Sequence, residues 1–214
     1  MDNIWQIVEA ASKNADAHGL SHVRRVYRMS MALAKHYSEA DIEILTAAVI
    51  LHDIARKEED DDACGLIDHA MLGAEKTEQM LLELGWNEDR ARRAADCVRQ
   101  HRYRGGDIPD TIEAKLLYDA DKLDSLGAIG VGRLFMLSGQ YGEQIYIDPP
   151  PGFGQDGNAN RISDYKQYSP NLEYMLKMRH IPERLFTPEA KDIAATRMER
   201  MDRFFEELRE EIEN

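Results

Sequence analysis

Seven histidines are spread along the 214 residues, and several fall where helical spacing turns the side chain inward. His22 heads a stripe continued by Val26, Met29 and Leu33, and His52 ends the stripe of Leu45 and Val49, at the three- and four-residue steps of one helix face. Asp53 follows at once, closing Ala47-Ala48-Val49-Ile50-Leu51, the most apolar run of the chain. An ionised carboxylate in such surroundings is strongly disfavoured unless a cation, hydrogen-bond donors or a metal ion compensate it. A divalent ion shared with His52 would satisfy it. His69, His101 and Asp121 complete an ordered set with His22 and His52-Asp53, each on its own candidate helix, and the helices of a bundle can gather such side chains around one centre.

Imidazoles and carboxylates together suit manganese, iron, zinc, cobalt or nickel better than an oxygen-only magnesium site. With open coordination positions, such an ion lowers the pKa of bound water and polarises a phosphoryl oxygen, which is the chemistry of phosphate-ester hydrolysis. Cys64 and Cys97 are the two cysteines and form no CxxC pair, so nitrogen and oxygen must supply the ligands. Negative charge developing on a phosphoryl group needs positive donors. Lys122 beside Asp121 and Arg102 beside His101 are the candidate phosphate contacts, with Arg104 as a further substrate-binding candidate. Two other classes share this ligand set: a non-catalytic helical module with a closed metal site, and a di-iron oxidoreductase. Phosphate release and oxygen consumption separate the three.

The elements that must position these residues are helical. The apolar periodicity predicts helices near residues 2–15, 20–37, 39–55, 66–84, 87–102, 111–122, 124–140, 165–179 and 188–212, with almost no strand-like alternation. Gly85 ends one helix, Gly105-Gly106 and Pro109 separate two others, and Thr187-Pro188 reads as a cap followed by proline at the first helical position. The acidic run Glu58 to Asp62 reads as a solvated turn. The expected organisation is an all-α single-domain bundle: a metal-binding helical core over residues 1–140, an irregular loop or lid over 141–164, and C-terminal helices over 165–214 packed on the core. The irregular stretch holds Pro149-Pro150-Pro151, Gly152, Gly154 and Gly157, which cannot continue a helix. The stripe Ile193, Met198, Met201, Phe204, Phe205 and Leu208 is expected to pack on this core or on a second copy of the chain, as in a homo-oligomer.

The stretches SHVRRV around His22, AAVILHDIAR around His52-Asp53, HAMLGAE from His69, VRQHR ending at Arg102 and LLYDADKLDSLGAIGVGR around Asp121 resemble the HD superfamily of metal-dependent phosphohydrolases. The likeness runs roughly from residue 16 to 135 and more weakly into Leu185 to Arg197, and its order and spacing are far more specific than the dipeptide HD. It implies an all-α fold of the HD type with a C-terminal helical extension. It also implies a metal held by His22, His52, Asp53 and Asp121. Helix phase alone leaves Asp119 and Asp121 as competitors; the resemblance selects Asp121 through its Ala-Asp-x-Leu context. His69 and His101 resemble the extra histidines of subgroups with binuclear centres, which leaves two readings, a second ion or contact with substrate phosphate. His18, one turn before His22, is a weaker candidate for a two-histidine clamp, and His36 and His180 read as structural.

Apolar residues at 43% and charged residues at 31% fit a globular chain. A net charge of −13 argues against long nucleic acid as a partner, since that binding rests on cations neutralising phosphates. A small phosphorylated substrate, such as a nucleotide, a dinucleoside polyphosphate or another phosphate ester, remains compatible. No run approaches the roughly 20 apolar residues of a membrane span, and Met1-Asp2-Asn3-Ile4 lacks the opening of an export signal, so the expected location is cytoplasmic.

Overall fold

The computed structural model describes residues 2–11, 19–103, 107–153 and 168–214. Among them no strand occurs, and no helix is long and apolar enough to cross a membrane. The described residues form an all-α chain of two compact units that divide between Asp121 and Lys122. The sequence had placed the end of the core at residue 140.

The first unit holds α1 (Asp2–Ala11), α2 (Leu20–Ala34), α3 (Ile42–Leu51), α4 (Arg56–Asp61), α5 (His69–Glu83), α6 (Glu88–Arg99) and most of α7 (Ile112–Asp124). Its centre is α3, in which every residue from Ile44 to Leu51 is buried. A helix apolar on all sides needs neighbours on all sides, and α1, α2, α5 and α6 supply them. Asp41 starts it: the N–H groups of Glu43 and Ile44 donate to Asp41 Oδ1 at 3.1 and 3.2 Å, satisfying two of the donors a helix start leaves open. The same carboxylate pairs with Arg90 of α6, and its backbone N–H donates to Glu113 of α7 at 2.7 Å, so one residue ties three helices.

Helix α2 buries His22, Val23, Val26, Ser30 and Leu33; of the stripe expected from the sequence, His22, Val26 and Leu33 are buried and Met29 is half-buried. Helices α5 and α6 pack on each other and bury small residues, among them Gly73, Ala74, Ala91, Ala94 and Ala95. Gly73 matters most: a Cβ there would lie 3.3 Å from Val98 Cγ1 and 3.6 Å from the His52 carbonyl oxygen. The close approach brings the first turn of α5 against the last turns of α3 and α6. The acidic run expected to be a turn instead forms α4, whose Glu59 turns inward toward His69.

The second unit contains α8 (Gly127–Gln140), α9 (Pro170–Leu176), a 3₁₀ turn at Met178–His180, α10 (Ile181–Arg184) and α11 (Pro188–Glu213). Thr187 caps α11 by accepting from the Ala190 N–H at 3.4 Å, with Pro188 next, as expected. Its aromatic stripe packs within this unit, Tyr174 stacking on Phe205 with ring centroids 4.2 Å apart and Phe135 lying edge-on to Phe204. Residues 147–153 are irregular, apart from a turn at 151–153, and the remainder of the expected loop, 154–164, lies outside the described residues.

Because a larger side chain at Gly73 must push apart α5 and α6, Gly73→Val is expected to destabilise the chain by about 1–3 kcal/mol. The check is a lowered midpoint in urea denaturation with an unchanged slope.

Candidate metal centre

Four helix ends and one helix interior converge in the first unit. His22 is the third residue of α2 and His69 the first of α5, whereas His52 and His101 lie just beyond the last residues of α3 and α6. Asp53 follows His52, and Asp121 projects from α7. His22, His52, His69 and His101 are all buried.

The donors fall into two groups that share Asp53. In the first, His22 Nε2 lies 3.2 Å from His52 Nε2, 3.5 Å from Asp53 Oδ2 and 3.3 Å from Asp121 Oδ1. His52 Nε2 is 3.5 Å from Asp53 Oδ2 and 4.0 Å from Asp121 Oδ1. In the second, His69 Nε2 and His101 Nε2 are 3.3 Å apart, and each is 3.8 Å from Asp53 Oδ1. The two oxygens of one carboxylate therefore face different pairs of imidazoles.

The other ring nitrogens fix which atom faces the centre. The last carbonyls of a helix lack intrahelical partners, and two imidazoles use them. His52 Nδ1 donates to the Val49 carbonyl at 2.8 Å, and His101 Nδ1 donates to the Val98 carbonyl at 2.5 Å. At His69 the Nδ1–H goes to Glu59 Oε2 at 2.8 Å. In each ring the proton sits on Nδ1, leaving an Nε2 lone pair directed at the cluster.

With both protons on Nδ1, the Nε2 lone pairs of His69 and His101 face each other at 3.3 Å and repel unless something positive lies between them. Around an ion bonded at about 2.1 Å, adjacent donors in tetrahedral or octahedral geometry stand about 3.0–3.4 Å apart. Four separations of the first group, 3.2–3.5 Å, lie at or close to that spacing, whereas His52 to Asp121 is wider at 4.0 Å, and the mixed nitrogen and oxygen donors fit a divalent transition metal. Burial also holds His52 neutral: desolvation pushes its pKa down to about 4 against the opposing pull of Asp53 and Asp121. His69 is likewise pushed far below the ordinary imidazole value, by burial and then by His101.

Of the residues expected from the sequence, His22, His52, Asp53, Asp121, His69 and His101 all meet here. Asp119, two residues before Asp121, is fully buried. Lys122 is the next residue of α7 and is also buried. Arg102 pairs with Asp68 and, at 3.2 Å, with Glu59 Oε1. Arg104 and His18 lie outside the described residues. His36 is exposed, and His180 faces Glu183 at 3.8 Å.

Two residues were missed. Arg56 sets Nη1 3.0 Å from Glu59 Oε2 and 3.4 Å from His69 Nδ1, and Glu59 is the acceptor for His69. The three-residue step from Asp53 to Arg56 was a readable signal; Glu59 was hidden in what passed for a charged turn. Glu59, Asp68 and His69 would by themselves resemble another metal site, but Arg56 and Arg102 already neutralise the two carboxylates.

The model of the HD domain family matches residues 19–126, half of the chain. The protein YpgQ of Bacillus subtilis (strain 168) is 24% identical over 202 residues, 92% of this chain and 86% of that protein. A crystal structure of YpgQ in complex with ADP aligns with a TM-score of 0.72 over 99% of this chain and 97% of that one. An HD-superfamily hydrolase from Bacillus thuringiensis aligns at 25% identity with a TM-score of 0.69, over 99% and 96% of the two chains. A predicted HD superfamily hydrolase from an uncultured Thermotogales bacterium aligns at 25% identity with a TM-score of 0.64, over 99% and 92%.

The neutral state of His52 makes a pH prediction for metal-free protein. With a folded pKa near 4 and an ordinary value of 6.5, the unfolded chain binds a proton between these limits that the folded chain does not. Stability therefore rises with pH across this window and is lost as pH falls from 6.5 toward 4. Chemical denaturation at a series of pH values is expected to show this loss, and His52→Gln is expected to flatten it.

Proposed function

Because the chain belongs to the HD domain family, we propose that it is a metal-dependent hydrolase of phosphoric esters or anhydrides acting on a small phosphorylated substrate. One observation carries the proposal: Asp53 presents Oδ2 to His22 and His52 and Oδ1 to His69 and His101, all four rings buried. On this reading His22, His52, Asp53 and Asp121 hold one divalent ion, and Asp53, His69 and His101 hold a second. The identity of the metal is left to Mn, Fe, Zn, Co or Ni. When bound, the metal supplies an activated water and charge stabilisation for the phosphoryl group.

The remaining work falls to the chain. His52 and His101, each tied to a helix-terminal carbonyl, keep their Nε2 atoms fixed, so the donors need not reorganise when metal and substrate arrive. Arg102 and Lys122, neighbours in the chain of the proposed ligands His101 and Asp121, serve as phosphate contacts, with Arg104 as a further substrate contact. Arg56 adds a guanidinium at the His69 side of the cluster. The pairing of Arg102 with Asp68 and Glu59 orients its guanidinium at the expense of part of its charge. The ADP of the YpgQ crystal structure supports a nucleotide among the candidate substrates, beside dinucleoside polyphosphates and simpler esters.

Metal-reconstituted protein is expected to release phosphate or a phosphorylated fragment from a nucleotide and phosphate-ester panel without consuming oxygen. His52→Ala or Asp53→Ala should remove most bound metal and at least about 99% of turnover, a loss on the scale of deleting a direct metal contact. Elemental analysis is expected to give two ions per wild-type chain and one in His69→Ala or His101→Ala. Full metal content and normal turnover in the His52 or Asp53 variants would defeat the assignment, and a wild-type value of one would defeat the binuclear form of it.

A further inference from the structure

The two halves of the centre are built differently. His52 and His101 follow the last residues of their helices, so the carbonyl three residues back lies within reach of Nδ1, and each ring uses it. His69 opens α5. The residue three before it, Leu66, belongs to the preceding loop, where no helical carbonyl is aligned for the ring. Its Nδ1 proton goes instead to a side chain ten residues earlier, Glu59, at 2.8 Å.

Glu59 is itself held. Arg56 binds Oε2 at 3.0 Å and Arg102 binds Oε1 at 3.2 Å, and the His69 backbone N–H reaches Oε1 at 3.4 Å. Arg102 is anchored on its other side by Asp68, whose Oδ1 caps α5 by accepting from the Ala70 and Met71 N–H groups at 2.9 and 3.3 Å. The carboxylate is thus seated between two guanidiniums and aimed at one ring. A carboxylate that accepts the distal N–H of a metal-ligating imidazole fixes its tautomer and raises its basicity.

We propose that Glu59 is a positioning residue that sets the affinity of the Asp53–His69–His101 half of the centre for its ion, by holding His69 with the proton on Nδ1 and Nε2 turned toward Asp53 and His101. The inference rests on the binuclear reading above. Loss of Glu59 is expected to spare the first half, whose distances among His22, His52, Asp53 Oδ2 and Asp121 do not involve it. Arg56 and Arg102 then lose a shared partner and keep Asp60 and Asp68, which leaves one more net positive charge beside the second half and weakens it further.

The test uses full-length wild-type, Glu59→Gln and Glu59→Ala proteins, titrated with Co²⁺ by visible absorption and equilibrium dialysis. In metal-free samples, ¹⁵N NMR of the imidazoles reads the His69 tautomer. Glu59→Ala is expected to keep the tighter Co²⁺ and bind the second about 10–100-fold more weakly, with the His69 proton redistributed toward Nε2. Glu59→Gln retains an oxygen acceptor and is expected to fall between the two, a rescue that general loss of packing would not give. Equal affinity for both ions in wild type and Glu59→Ala, with an unchanged tautomer, overturns the proposal. A single Co²⁺ in wild type overturns the binuclear reading instead, and the tautomer then decides on its own whether Glu59 positions His69.

Discussion

Two imidazole nitrogens that face each other at 3.3 Å, Nε2 of His69 and Nε2 of His101, each ring with its proton on Nδ1, are the constraint around which the first unit is organised. Neither ring can relieve the repulsion by moving its proton to Nε2, because the Nδ1–H of His69 is spent on Glu59 and that of His101 on the Val98 carbonyl. Nor does protonation of His69 relieve it near neutral pH, since burial and the neighbouring His101 make its charged form costly. Relief must come from the third party that faces both rings, a carboxylate-bearing cavity able to hold a cation. Asp53 and Asp121 would be poorly placed among so many apolar neighbours without one. The same side chains that destabilise the empty arrangement therefore favour the loaded one, and metal affinity and folding stability are linked.

The fold meets this demand by spending helix ends rather than helix faces. An α-helix leaves carbonyls unpaired at its last turn, and placing a histidine just beyond it satisfies one carbonyl and orients one ring at once. Helices α3 and α6 both end this way. Their approach depends on small residues, and Gly73 of α5 touches both ends: Val98 on one side and the His52 carbonyl on the other. Asp41 secures the far end of α3, so the helix that carries His52 and Asp53 is pinned at its start to α6 and α7. Position at the centre is thus set by backbone and cap interactions, which tolerate less drift than long side chains do.

Much of this was legible in the residues. The buried stripe ending at His52, the carboxylate attached to the most apolar run, and the inward phase of His22 and His101 each followed from spacing, whereas Asp121 was selected over Asp119 by the resemblance to the HD superfamily. The all-α fold followed from the same periodicity. Helix phase did not separate Asp119 from Asp121, because residues two apart point to opposed faces and both faces of α7 are buried. Helix α4 was not legible either: Arg56–Asp61 lacks any apolar side chain, so hydrophobic periodicity carries no signal there. With α4 went Glu59 and the pairing of Arg102. The split of Asp53 between two imidazole pairs is a matter of carboxylate orientation, which no one-dimensional pattern encodes.

An acidic chain that takes an anionic substrate requires a local reversal of charge, and the site's construction supplies one on the proposed reading. Glu59 and Asp68, the carboxylates nearest the second half, are offset by Arg56 and Arg102 and so contribute little field of their own. All four imidazoles enter as neutral donors. That leaves Asp53 and Asp121 as the anionic ligands, and divalent cations outweigh them. A centre with neutral nitrogen donors and few carboxylates stays positive after loading, where an all-carboxylate site of the same size would be neutralised. The net charge of −13 acts at longer range, where salt screens it within about 10 Å. It disfavours a long polyanion that must lie along the surface, whereas a small phosphorylated molecule meets mainly the field of the centre. Substrate size is then selected by the distance over which each field acts, with the imidazole-rich donor set as the feature that makes the short-range field attractive.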